Sequence, residues 1–177
     1  VMEETMTRQY QIQYGLRATI LRSSWVFEGD DLLNHFSILK NVNPAEPGHG
    51  FGEVSEEVLE LVRSGQERIP VLLDDAGNPL TRHIVHIDDV MLALEVSLGN
   101  ENAIGRDYNI AAEHAFQYRE AANYLSDKLG IPTVDIANPQ YHPFSIDISR
   151  ARRDLGYSPA TDFYRMADRP IAARQNL

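Results

Sequence analysis

This sequence predicts an α/β fold built on a parallel sheet, and three observations carry the prediction. Short apolar runs alternate with amphipathic stretches along the whole 177 residues, the pattern of strands connected by helices. Glycines stand just past several of the amphipathic stretches, where helices end. Hydrophobic residues make up 43 % and charged residues 24 %, which is ordinary globular composition, at a length that allows a sizeable core.

The elements follow in order. Residues 2–14 read as a helix, because Met2, Met6, Tyr10 and Tyr14 fall four apart on one face, and Gly15 stops it. Residues 17–22 read as a buried strand. Asp30 and Asp31 are placed to cap a helix over 32–41, with Leu32, Leu33, Phe36 and Leu39 on its apolar side. Residues 44–52 are a loop, and Ser55 caps the next helix, in which Val58, Leu59, Leu61 and Val62 face the core. Residues 69–73 form a strand, and 74–79, Asp-Asp-Ala-Gly-Asn-Pro, form a turn. Residues 82–87 form a strand, followed by a helix capped by Asp88 or Asp89 that buries Val90, Ala93, Leu94 and Leu98. A strand at 108–110, a helix at 118–129 ending at Gly130 and a strand at 132–136 come next. Asp147 caps a short helix stopped by Gly156. A last helix occupies 162–175, with Pro170 kinking or breaking it.

Composition narrows the function. Sixteen Lys and Arg against 26 Asp and Glu leave a net charge of −10, the wrong sign for a binder of nucleic-acid backbone. The cluster Arg150, Arg152 and Arg153 is flanked by Asp147 and Asp154 and reads as a solvated helix face. Cysteine is absent, which removes disulfide frameworks, thiolate metal sites and a cysteine nucleophile. No apolar run reaches the ~18 residues of a membrane span, no signal-peptide pattern is visible, and the expected compartment is the cytoplasm. The sequence opens on Val1 rather than Met, so a piece of a longer protein is expected.

Three local patterns invite chemistry and are better read structurally. Gly48-His49-Gly50-Phe51-Gly52 precedes a helix, but no strand leads into it, and Glu53, Glu56 and Glu57 would repel a phosphate. Tyr124 and Lys128 share a helix face at the spacing of a Tyr/Lys acid–base pair, yet no dinucleotide loop lies upstream, so an ordinary amphipathic helix is expected. His83 and His86 fall three apart in a β-like run, which puts them on opposite faces: one His outward, the other inward or lining a cleft. No residues are assigned to a metal.

Four segments in order resemble the NAD(P)-dependent epimerase/dehydratase family, the extended short-chain dehydrogenases. Leu21-Arg22-Ser23-Ser24-Trp25-Val26-Phe27 is similar to the family's Leu-Arg-Pro-x-x-Val-Tyr-Gly. Residues 82–90, Arg-His-Ile-Val-His-Ile-Asp-Asp-Val, are similar to Arg-x-Phe-Val-His-Val-Asp-Asp-Val. Residues 105–110 resemble Gly-x-x-Tyr-Asn-Ile. Residues 147–159 resemble Asp-x-Ser-Lys-Ala followed by Leu-Gly-Trp-x-Pro.

The resemblance covers the family's second half only. Over 1–177 it implies the C-terminal portion of a Rossmann-type domain, with late sheet strands and a substrate-binding lobe, and without the N-terminal dinucleotide-binding half. It implies NAD or NADP in the intact enzyme, no catalytic residue within this chain, and no tight cofactor binding by the chain alone. Ser23, Ser24 and Val26 are expected to border the nicotinamide at a strand's carboxyl end. Asn34, Arg82 and His86 are expected to contact a sugar-like or nucleotide-sugar substrate, the alternative for Arg82 being a surface ion pair with Asp88 or Asp89. Residues 135–145 hold no Arg or Lys, where nucleotide-sugar epimerases carry an Arg, so a smaller sugar stays open. The expected partners are a second copy or a missing N-terminal half, with neither nucleic acid nor membrane. The alternative to an enzyme portion is a non-catalytic binding or regulatory module of the same family.

Overall fold

The computed structural model describes residues 2–46, 50–138 and 142–175. The chain divides into two compact units. The first comprises 1–26, 83–114 and 146–162, and the second 27–82, 115–145 and 163–177.

In the first unit, α1 (Met2–Tyr14) ends at Gly15, whose φ of 67° is the left-handed conformation that glycine adopts without strain. Strand β1 (Ile20–Ser23) runs parallel to β6 (Asp107–Ile110), with Leu21 opposite Tyr108 and Ser23 opposite Ile110. β1 starts later than the predicted 17–22 and is half-buried to exposed rather than buried. Alternation explains the two faces of β1. Arg22 reaches Glu4 of α1 and Asp107 of β6, while Leu21 packs against the core. Trp25 opens β2 (Trp25–Phe27), which pairs with β5 (Ile84–His86). The core comprises Val85, Ala93, Tyr108, Ile110, Ile148 and Tyr157 among others, with α5 (Ile87–Ser97) and α7 (Ser149–Leu155) supplying its helical side. Gly156 closes α7 at φ 72° as expected, but the N-cap is Ile148, which makes no side-chain cap bond, and Asp147, one residue earlier, accepts from Ser149 N through Oδ1 instead of capping the helix.

The predicted cap of α5 is corrected. His86 caps it, its Nδ1 accepting from Asp88 N at 3.1 Å. Asp89 is 2 % exposed and turns away to accept from Ala160 N (2.8 Å) and Thr161 N (3.0 Å). Of the apolar face assigned to α5, only Ala93 is buried, whereas Leu94 and Leu98 are 43 % and 79 % exposed.

The second unit holds a parallel pair, β3 (Ile69–Leu73) with β8 (Thr133–Ala137), and an antiparallel pair, β4 (Thr81–Arg82) with β7 (Phe116–Gln117). The strand predicted over 82–87 is therefore two short strands interrupted at His83. The helix predicted over 32–41 is likewise two, α2 (Asp31–His35) and α3 (Ile38–Asn41). Ser37 breaks it by going extended and capping α3, its Oγ accepting from Lys40 N while donating to Glu67. Asp30 makes no side-chain cap bond, and Leu39 is 39 % exposed. α4 (Glu56–Arg63) is capped by Ser55 as predicted, with Val58 buried. α6 (Tyr118–Leu129) ends at left-handed Gly130, also as predicted. α8 (Phe163–Gln175) continues through the buried Pro170 instead of breaking there. The centre of this unit is aromatic, with Phe36, Phe116, Tyr118 and Phe163 at centroid separations of 4.9–5.8 Å.

Candidate functional site

The candidate residues divide between the units. Ser23, Ser24, Val26 and His86 lie in the first, and Asn34 and Arg82 in the second.

In the first unit, Ser23 is the last residue of β1 and is exposed. Ser24 N donates to Ile110 O at 3.0 Å, which holds the chain at the carboxyl ends of the parallel pair. Ligands of α/β sheets bind at such ends. The Ser24 hydroxyl is buried and has no hydrogen-bond partner among the described residues, and an orphaned buried hydroxyl costs free energy unless a ligand or water meets it. Val26 is 40 % exposed. An exposed Ser23, an unsatisfied Ser24 Oγ and an exposed apolar Val26 fit the carboxamide end of a nicotinamide. The strand-fed glycine loop that would cradle the cofactor's phosphates is not in this sequence.

The two histidines are both buried, at 3 % and 8 % exposure, which corrects the expectation of one pointing outward. His83 lies in the break between β4 and β5, outside regular strand alternation. The His83 ring joins two backbone segments: Nε2 lies 2.8 Å from Ala112 O, and Nδ1 accepts from Ile146 N at 2.9 Å. That pairing requires the neutral Nε2–H tautomer. Burial holds His83 below its ordinary pKa, against the opposing pull of the Ala112 carbonyl. The Nδ1 of His86 is committed to capping α5, so this nitrogen's observed role is structural.

In the second unit, Asn34 is exposed on α2, and its backbone carbonyl accepts from Asn41 Nδ2. Arg82 is only 5 % exposed, with its guanidinium 5.0 Å from the Phe144 ring centroid. Arg82 is therefore a buried side chain and not a surface one. His35 lies 2.7 Å through Nε2 from the hydroxyl of the buried Tyr118. Its pKa is pushed down to about 4, first by burial and then by the charge of Arg82. Sequence reasoning passed over this His35–Tyr118 contact. His35 closes a short helix and Tyr118 opens another, and no local signal links positions 83 residues apart.

Tyr124 and Lys128 behave as structural residues. The Tyr124 hydroxyl donates to Asp168 Oδ1 at 2.7 Å, and Lys128 Nζ lies 3.1 Å from the same oxygen. The carboxylate raises the phenol's pKa, the opposite of what a Tyr acid–base catalyst needs. Gly48 and His49 lie outside the described residues. At Gly50 a Cβ would come 1.9 Å from Asn41 O, so close packing on α3 accounts for that glycine. Among the described residues no group of three metal-ligating side chains converges, and no helix is long and apolar enough to cross a membrane.

No protein-family model and no curated protein matches this sequence. Solved structures do match its fold. A short-chain dehydrogenase/reductase superfamily protein from Agrobacterium tumefaciens, with bound NAD, superposes with a TM-score of 0.78 at 19 % identity, over 98 % of this chain and 55 % of that one. UDP-glucuronic acid 4-epimerase from Bacillus cereus, in complex with UDP-glucuronic acid and NAD, gives 0.66 at 19 % identity, over 98 % and 50 %. A dTDP-glucose 4,6-dehydratase from Streptomyces venezuelae, also with NAD, gives 0.63 at 21 % identity, over 98 % and 48 %. The chain thus has the α/β fold of short-chain dehydrogenase/reductase, epimerase and dehydratase structures, and spans about half the length of each.

Proposed function

We propose that this chain is the substrate-binding portion of an NAD(P)-dependent epimerase, dehydratase or reductase acting on a sugar or nucleotide sugar, and that it is catalytically incomplete by itself. The supporting observation is the fold match over 98 % of the chain to NAD-bound structures twice its length. The unsatisfied Ser24 hydroxyl at the carboxyl end of β1 agrees with it. In this reading Ser23, Ser24 and Val26 hold the nicotinamide end of the cofactor, which supplies hydride transfer when bound. Arg82 binds the substrate through the fork of donors that suits an anionic or polyhydroxylated group, with Asn34 as a further polar contact. His86, which caps α5 through Nδ1, is proposed as a further substrate contact.

The test is Arg82→Ala in the enzyme that contains this chain, assayed with NAD or NADP and UDP- or dTDP-sugars. The expected result is a rise in KM of about tenfold or more, matching the ~1.5–3 kcal/mol of a charged hydrogen bond. A melting temperature that falls while KM stays put makes Arg82 structural and removes it from the site.

A further inference from the structure

A buried amide in the second unit has one end in use and the other idle. Asn138 directly follows β8, and its backbone N donates to the carbonyl of Leu73, the last residue of β3, at 2.8 Å. It therefore stands at the carboxyl ends of this parallel pair, where α/β sheets bind ligands. The residue is 1 % exposed. Its Nδ2 donates to Phe51 O, while its Oδ1 has no hydrogen-bond partner among the described residues. Phe51 O fixes the orientation of the amide, because a carbonyl oxygen only accepts and must face the NH2 group. An acceptor buried without a donor costs free energy, so Oδ1 marks a place that a donor completes.

A short strap covers the amide. Phe51 is buried, with its ring 5.9 Å from that of His35, and a Cβ added at Gly52 would stand 3.9 Å from both polar atoms of the Asn138 side chain. Gly52 has a φ of 84°, which glycine adopts without strain and other residues rarely do. The bond from Nδ2 to Phe51 O fastens this strap, and lifting it exposes both ends of the amide together. His35 in turn feels the charge of Arg82, so His35 links the strap to the side chain assigned to substrate.

We infer that Asn138 is a specificity residue of the substrate site, whose amide takes neighbouring hydroxyl groups of the sugar once the Phe51–Gly52 strap lifts. The sugar as ligand rests on the proposed function. An amide presents one donor and one acceptor side by side, which matches adjacent hydroxyls, each able to donate and to accept. A diphosphate fits worse, because its ionised oxygens only accept and would face the lone pairs of Oδ1. The neighbouring charges do not alter this. Asp74, just past β3, accepts from Ala76 N and Asn78 N within its own turn, and Arg119 is paired with Asp135 of β8 at 2.8 Å.

The test uses the enzyme that contains this chain, assayed with UDP- or dTDP-sugars and their monodeoxy analogues. Asn138→Leu should raise KM for the parent sugar nucleotide about tenfold or more and leave inhibition by UDP or dTDP alone unchanged. With one monodeoxy analogue, wild type and variant should show the same KM, because the hydroxyl that donates to Oδ1 is missing. Gly52→Ala should lower KM, since a side chain at this φ weakens the closed strap. That variant keeps the Asn138 amide and decides the matter if Asn138→Leu misfolds, an unchanged or raised KM overturning the inference. A fall in Tm with KM unchanged in Asn138→Leu assigns Oδ1 to a buried water and also overturns it. So does a loss that persists with every monodeoxy analogue, or weaker inhibition by UDP or dTDP alone, which places the phosphates at Asn138. Variants that fail in these ways while the wild type turns over sugars leave the proposed function standing. A wild-type enzyme that turns over no sugar rejects the proposed function and this inference with it.

Discussion

At the residue scale, burial decides what the polar side chains do. His83 and His35 have the same ordinary pKa, and both are held neutral, His83 between two backbone groups and His35 against the Tyr118 hydroxyl. Their folded pKa values lie below the unfolded value of about 6.5, His35 at about 4. The unfolded chain therefore binds more protons than the folded one between these limits, and stability falls as acid is added. The contribution is complete above pH 6.5 and is lost progressively toward pH 4. Urea unfolding at pH 7 and pH 5 should show a loss of about 1–3 kcal/mol, and His35→Gln should flatten that dependence. A midpoint that stays constant between the two pH values would mean that neither ring is held neutral. Burial also decides the partners of Asp89. The sequence offers it as a helix cap, yet it is buried and satisfied by two backbone N–H groups from residues 71 and 72 positions away.

At the scale of elements, local preference sets where helices end more reliably than where they begin. Gly15, Gly130 and Gly156 all close helices in the left-handed conformation, as glycine alone does cheaply. The starts at α3 and α5 depend on neighbours. Ser37 leaves the helical path because its hydroxyl donates to Glu67 while accepting from Lys40 N. The two readings of 32–41 predict opposite signs for Ser37→Ala. In a continuous helix alanine would stabilise by about 0.5 kcal/mol. In the observed pair of helices the substitution removes the cap of α3 and costs about 1 kcal/mol. Chemical denaturation of the variant distinguishes the two, and a destabilised protein is expected. At α5, β5 runs directly into the helix, so His86, the last strand residue, takes the cap position ahead of either aspartate.

At the scale of the whole molecule, the apolar surface is distributed unevenly. α1 has no buried residue and exposes Met2, Met6, Tyr10 and Tyr14 on the stripe its spacing predicts. Contiguous apolar surface of this kind drives association, so light scattering of the chain alone should show self-association that rises with concentration. A monodisperse monomer at high concentration would count against it. Cofactor binding by the chain alone is expected to be weak. In the proposed reading only Ser23, Ser24 and Val26 meet the cofactor, and the sequence holds no strand-fed glycine loop for its phosphates. Calorimetry with NAD and NADP should therefore detect no saturable binding in the low-micromolar range.

The sequence by itself determined the α/β class, the order of most elements and the helix-ending glycines, because periodicity and turn chemistry act over a few residues. It also carried four segments whose resemblance anticipated the fold of the matched structures. The tertiary structure decided the remainder. It divided 32–41 and 82–87, gave the cap of α5 to His86, buried Asp89 and both histidines, and set Arg82 inside the second unit near His35. It also bound Tyr124 and Lys128 to Asp168, some 40 positions away. Each of these outcomes depends on a partner distant in the chain, and burial raises the cost of leaving a polar group unpaired until that distant partner overrides the local preference.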